Sequence, residues 1–155
     1  VSFKLSEKSS RTLDEVHPDL KTVVEFAIGK TEVDFSAFEG MRTAARQAAL
    51  VKAGASRTLN SRHLTGHAVD LVAYVEFRLS WDWPLYYSIA KSVHEASTTL
   101  AIPIRWGGVW DRLLSDLNGE DLESEVLSYQ KRQRLMGKKA FVDGPHFELP
   151  RELYP

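Results

Sequence analysis

Two short segments carry residue types that could do chemistry together. In Ser61-Arg62-His63-Leu64-Thr65-Gly66-His67-Ala68-Val69-Asp70 an imidazole and a carboxylate border an apolar run, and in Asp143-Gly144-Pro145-His146-Phe147-Glu148 a histidine follows a carboxylate by three residues. Neutral imidazole and carboxylate suit Zn²⁺, and a catalytic zinc site takes three protein ligands and leaves a position for water. His63 and Asp70 supply two ligands. The second segment can supply the third and also a general base, a set suited to metal-assisted amide hydrolysis. The chain contains no cysteine, so any metal must be held by histidines and carboxylates.

Each candidate has a plainer reading. Asp70 interrupts Ala68 to Tyr74, which is otherwise apolar on both alternating faces, as in a strand buried inside a sheet. A lone carboxylate there is costly unless it is paired or binds a metal, so the alternative to a ligand is an Asp satisfied by an Arg or by backbone donors. His63 and His67 stand four apart, as zinc ligands on a helix do, but Gly66 between them argues against that helix, and His67 is expected to line the cleft or face solvent. His17, just before Pro18, reads as a surface or capping histidine, and His94 as a structural one inside a helix. Ser61 is either a turn residue or a hydrogen-bonding support. Alternation places Glu148 on the same strand face as His146, where it could orient a ligand or the substrate.

The two segments have the forms S-x-H-x-x-G-x-A-x-D and D-G-P-H-F-E, and with them the chain resembles the zinc D-Ala-D-Ala carboxypeptidase and L-alanyl-D-glutamate endopeptidase family. Glu39-Gly40-Met41-Arg42-Thr43 followed by Gln47 resembles the segment carrying that family's substrate-facing arginine, and Arg105-Trp106-Gly107-Gly108 resembles its W-G-G segment. All four occur in family order. The D-x-x-H form is similar to the endopeptidases of phage endolysins, whereas the dipeptidases have E-x-x-H.

The resemblance implies one Zn²⁺ held by His63, Asp70 and His146, with Asp143 as general base and Arg42 at the scissile bond. It implies supporting or substrate-binding roles for Ser61, Gln47, Trp106 and Glu148. The substrate would be the peptidoglycan stem peptide, cut between L-Ala and D-Glu during host lysis. A bacterial D-Ala-D-Ala carboxypeptidase or dipeptidase is the alternative within enzymes. A zinc-stabilised binding module of the same fold is the alternative outside them, and Asp143, a base such a module does not need, argues against it. Related endolysins carry a calcium-responsive loop near residues 111–142, which would bring calcium regulation, but Asp116-Leu117-Asn118-Gly119-Glu120 lacks the spacing of a twelve-residue calcium loop.

The elements that must position these residues can also be read. A short helix capped by Ser6 is expected within Phe3 to Val16, with Ser9 and Ser10 facing solvent. A second helix runs from Pro18 to Gly29 with Leu20, Val23, Val24 and Ala27 on one face. Val33 to Phe38 alternates as a strand, Thr43 to Lys52 reads as an Ala-rich helix, and Arg42 stands between them. Trp81 to Leu100 reads as a long helix and Ile102 to Trp106 as a strand, with Trp110 walling either the cleft or the core. In 111–142 the acidic residues precede the basic ones, as suits a solvated helix or a mobile lid between Asn118 and Gly137. Phe147 and Leu149 continue a last strand, and Arg151 to Pro155 is a tail. The order suggests an α+β fold, with a small antiparallel sheet carrying the zinc site packed against helices, as in hedgehog and D-Ala-D-Ala peptidase domains.

At 155 residues, 43% hydrophobic and 26% charged, the chain fits one catalytic domain spanning 1–155, without a separate wall-binding domain. A formal net charge of −1 gives no reason to expect a nucleic-acid partner. No signal-peptide pattern or membrane-length apolar run is visible, so a monomer without stable membrane association is expected. It would wait in the host cytoplasm and reach the wall once a separate protein permeabilises the membrane.

Overall fold

The structure is a computed structural model and describes residues 2–155. Helix α1 (Glu7–Asp14) starts where the Ser6 hydroxyl accepts the Ser9 N–H, and α2 (Pro18–Ile28) starts with His17 Nδ1 accepting the Asp19 N–H. His17 is therefore a cap, and the proline after it costs nothing because the first-turn N–H has no helical partner. Strand β1 (Phe35–Glu39) leads through Arg42 into α3 (Ala44–Lys52), capped by the Thr43 hydroxyl. A 3₁₀ turn (Arg62–Thr65) precedes β2 (Ala68–Val75), which hairpins into β3 (Arg78–Ser80). The long helix α4 (Trp83–Leu100) follows, then β4 (Arg105–Trp106), β5 (Val109–Leu113), α5 (Leu122–Leu135) and β6 (His146–Glu148).

The sheet is antiparallel throughout, in the order β1-β2-β6-β4-β5, with β3 paired to the far end of β2. Side chains alternate across it. Val69, Leu71, Phe147 and Trp106 enter one core with Leu20, Val23 and Val24 of α2 and Ile89, Ala90 and Val93 of α4. Asp70 and His146 therefore point to the opposite face. The registers put Glu39, Asp70 and His146 in one row across three strands, because Glu39 pairs with Asp70 and Asp70 pairs with His146.

Four local expectations need correction. Ser9 is buried, because α1 lies on β1 and the Ser9 hydroxyl accepts the Ala37 N–H at 3.0 Å. The strand before Gly107 is only Arg105–Trp106, and a second strand, β5, pairs back with it across a Gly107-Gly108 turn. Residues 111–142 form neither a fully solvated helix nor a detached lid: Leu122, Val126 and Tyr129 of α5 join the core. The last residues are tied down, since Tyr154 Oη donates to Asp19 at 2.6 Å and the buried Arg62 guanidinium donates to the carbonyls of Leu149 and Tyr154. Among the described residues no helix is long and apolar enough to cross a membrane.

Candidate metal centre and cleft

His63 stands on the 3₁₀ turn, where the Ser61 hydroxyl accepts the His63 N–H at 3.2 Å. Gly66 ends that turn at φ +74°, and a Cβ there would lie 3.0 Å from the Glu15 carbonyl, so the motif's glycine answers both backbone shape and space. The carbonyl of Gly40 lies 2.8 Å from His63 Nδ1 and can only accept, so Nδ1 carries the proton and Nε2 keeps its lone pair. In the same way His146 Nε2–H donates to Glu148 Oε1 at 2.8 Å, which frees Nδ1. These are the outer partners that orient metal-binding histidines.

The freed atoms converge. His63 Nε2 lies 3.3 Å and His146 Nδ1 3.6 Å from Asp70 Oδ1, and one ligand atom from each of the three residues lies within 4.8 Å of the others. Ligands about 2.0–2.1 Å from a tetrahedral ion stand about 3.3–3.5 Å apart, close to these spacings. His63 Nε2 and Asp70 Oδ1 are buried without a hydrogen-bond partner, a costly state unless something else satisfies them. The three residues form a group that could hold a metal ion.

The local charges agree with a cation. Burial alone would raise the Asp70 pKa, but the close approach of His146 and His63 holds it well below the usual carboxylate range. Burial likewise opposes charge on His146, and the neighbouring carboxylates of Asp70 and Glu148 outweigh it, pushing the imidazole up to about 10. That proton must leave before Nδ1 can bind a metal. Metal affinity should therefore fall as pH falls, as competition with a chelator across a pH series would show. Removing Glu148 by Glu148→Ala should weaken metal binding about 10–100-fold, and Glu148→Gln, which keeps an acceptor, should cost less.

Arg42 links the row of strands. Its Nε donates to Glu39, Nη1 donates to Gln47 Oε1 at 2.7 Å, and Nη2 donates to Asp70 Oδ2 at 3.3 Å. Two of its five N–H donors are left uncommitted. Gln47 is the one residue of α3 that is buried, and its amide is pinned by Ser56 Oγ and the Thr58 carbonyl. It holds Arg42 and does not line the cleft.

Asp143 sits on a turn braced from below. Its N–H donates to the Gly107 carbonyl, Gly107 N–H donates to the His146 carbonyl, and Trp106 Nε1 donates to the Gly144 carbonyl, all at 2.7–2.8 Å. Trp106 is fully buried beneath this turn. A Cβ on Gly107 would stand 2.2 Å from the Asp143 carbonyl oxygen. Gly107→Ala must push the two segments apart, and it should cost about 1–3 kcal/mol of stability in denaturant unfolding and lower activity with it. Burial, then the charge of Asp70, raises the Asp143 carboxyl pKa, against the pull of His146, His63 and Arg42. A carboxyl raised in this way holds a proton more readily, as suits a group that takes one and returns it.

Asp143, Arg42, Ser61, His63, Asp70 and His146 thus line one cleft of about 260 Å³. Glu148, Gln47 and Trp106 stand behind it. His67 lies outside the ligand group, with Nδ1 2.7 Å from Thr65 Oγ1. His94 bonds the Leu117 carbonyl and is structural. Trp110 packs at the edge of the core and also flanks the ligand group, with its ring 5.0 Å from that of His146 and 6.5 Å from Phe141. The Gly40 carbonyl and the Arg62 guanidinium escape sequence reasoning, because neither a backbone oxygen nor a variable motif position announces its partner. In the acidic stretch, Asn118 and Glu125 serve as local caps: Asn118 Oδ1 accepts the Glu120 N–H and Glu125 accepts the Asn118 N–H.

Comparison with known proteins is consistent along nearly the whole chain. The family described as phage L-alanyl-D-glutamate peptidase matches residues 1–150. An L-alanyl-D-glutamate peptidase of Escherichia phage T5 is 28% identical over 153 residues, covering 96% of this chain and 99% of that protein. A peptidase of the same name from Listeria phage A118 is 37% identical over 73 residues, 47% of this chain and 25% of its own length. The crystal structure of the Serratia marcescens L-Ala D-Glu endopeptidase ChiX superposes with a TM-score of 0.75 at 38% identity, covering 98% of this chain and 94% of that one.

Proposed function

This chain belongs to the phage L-alanyl-D-glutamate peptidase family, and from that premise we propose that it is a zinc-dependent endopeptidase cutting the L-Ala–D-Glu bond of the peptidoglycan stem peptide during host lysis. The observation that carries the metal half of this reading is the pair of orphaned, buried ligand atoms on His63 and Asp70, facing His146. The bond specificity rests on the family and on the phage and bacterial relatives, which share it by name.

His63 Nε2, Asp70 Oδ1 and His146 Nδ1 would hold the ion, which when bound lowers the pKa of water toward neutrality and polarises a carbonyl. Asp143 takes the proton from the attacking water and passes it to the D-Glu amine as the C–N bond breaks. Arg42 fixes Asp70 through one N–H and offers its two uncommitted donors to the carbonyl oxygen as charge builds there. Glu39 and Gln47 hold the Arg42 plane, so its reach is set before substrate arrives. Ser61 shapes the turn that presents His63.

The setting we propose is a protein that acts once the host membrane has been permeabilised. Incubating the metal-loaded protein with muropeptides, with and without chelator, tests the reading. New N-terminal D-Glu that vanishes with chelator supports it, whereas released D-Ala would place the cut at the other end of the stem.

A further inference from the structure

The cleft does not end at the metal ligands. On the face opposite the core, the sheet order sets Phe38 of β1, Asp70 of β2, His146 of β6 and Trp110 of β5 in sequence from one edge to the other. Beyond Trp110 the cleft opens into a second groove of about 550 Å³, and Ser56 and Phe141 line both. Arg57, Lys138 and Lys139 line this groove, together with the aromatic walls of Trp110, Tyr129 and Phe141, and no carboxylate lines it. The Arg57 guanidinium lies 4.8 Å from the Phe141 ring centroid, and one N–H reaches the Lys139 carbonyl at 3.4 Å, so its charge is held at the groove wall. Asp111, on neighbouring β5, is already paired with Arg132 at 2.8 Å.

The opposite end differs in kind. Phe38 and Trp81 form an exposed edge-to-face pair with ring centroids 5.9 Å apart. Arg42 and Arg46 there are both paired with Glu39, and the neighbouring Lys8 and Arg11 share their surface with the carboxylates Glu15 and Glu39, so positive charge at this end is matched by acid. One end of the cleft is thus apolar and aromatic, and the other is cationic.

We propose that this polarity fixes the direction of the substrate: the D-Glu side runs over Arg57, Lys138 and Lys139, which recognise its free carboxylate, and the L-Ala side runs toward Phe38 and Trp81. The proposal rests on the L-Ala–D-Glu reading above. Glutamate has two carboxyl groups and only one continues the peptide, so the other remains anionic within one residue of the cut, on the leaving-amine side. The preceding side, through L-Ala toward the sugar, offers apolar and sugar surfaces that suit exposed aromatic rings. Cations around a groove with no competing acid also draw an anionic substrate into register.

Two stem peptides that differ only in this group, one with the free D-Glu carboxylate and one with its carboxamide, test the assignment. The wild-type protein should show a KM about tenfold lower for the carboxylate peptide, the scale of one charge-assisted hydrogen bond. In the zinc-loaded Arg57→Gln/Lys138→Gln/Lys139→Gln variant that preference should collapse toward one, chiefly through KM. Lys91→Gln, on α4 at the other side of the sheet, should keep it. A wild-type protein indifferent to the carboxylate, or a preference that survives in the folded triple variant, would overturn the proposal. Cleavage of neither peptide at L-Ala–D-Glu by wild type would instead overturn the assigned bond, and this proposal with it.

Discussion

Asp143→Asn is expected to lower kcat on the stem peptide by about 10²–10⁴-fold while zinc stays at one ion per chain. The two halves of that result separate a proton-transfer role from a ligand role. The hydrogen bonds that shape the Asp143 turn use its backbone N–H and carbonyl, so an isosteric amide leaves the turn intact. It removes only the ability to take a proton. The raised pKa of the carboxyl, caused first by burial and then by Asp70, also gives a sign for pH: activity needs the deprotonated form and is lost as pH falls through a value above the ordinary aspartate range. Full activity of a zinc-bound asparagine variant would show that the base lies elsewhere.

Loss of the metal should have the largest effect of all. His63→Ala or His146→Ala should take metal content, measured by elemental analysis, from one ion per chain to near zero, and hydrolysis to background. His67→Ala should change neither, because His67 lies outside the ligand group. A stability readout should move as well. An ion that binds only the folded chain stabilises it by about 4 kcal/mol at a thousand times its Kd, so wild-type Tm should rise with added zinc and the ligand variants should not respond. A His63→Ala protein that still binds zinc and hydrolyses substrate would remove His63 from the site.

The parts of this site that were legible in the sequence are those held together over short spans. His63 and Asp70 lie on one turn-strand segment, and Asp143 and His146 on one turn, so local pattern brings each pair close. What joins the pairs is the register of β2 against β6, a contact between distant segments that no local periodicity encodes. Gln47 shows where the resemblance goes further than local pattern. On an Ala-rich helix with a weakly apolar face it reads as a surface residue, yet it is the residue that α3 buries, because Arg42 needs an acceptor there. Ser9 differs from its solvent-facing expectation because its hydroxyl accepts a β1 N–H that only the packing of α1 reveals.

Other differences do carry a signal in the sequence. A two-residue Gly-Gly link between Trp106 and Val109 favours a hairpin, so β5 could have been extended from the turn already seen at Gly107-Gly108. The tail at Arg151 to Pro155 lacked any such cue. Its anchor is Arg62, whose buried guanidinium reaches carbonyls near ninety residues away in sequence. Of the two roles the family segment leaves open for Trp106, support or substrate contact, its burial and its bond to the Gly144 carbonyl favour support of the Asp143 turn.

The central claim is zinc-dependent cleavage of a single bond, and the most direct test is digestion of purified peptidoglycan by the zinc-loaded protein and by the same protein stripped with chelator, with the new chain ends identified by mass spectrometry. The account predicts new N-terminal D-Glu ends that appear only with metal and return when zinc is restored. D-Glu ends that form equally in the stripped protein, or no cleavage by a chain shown to carry one zinc ion, would contradict it.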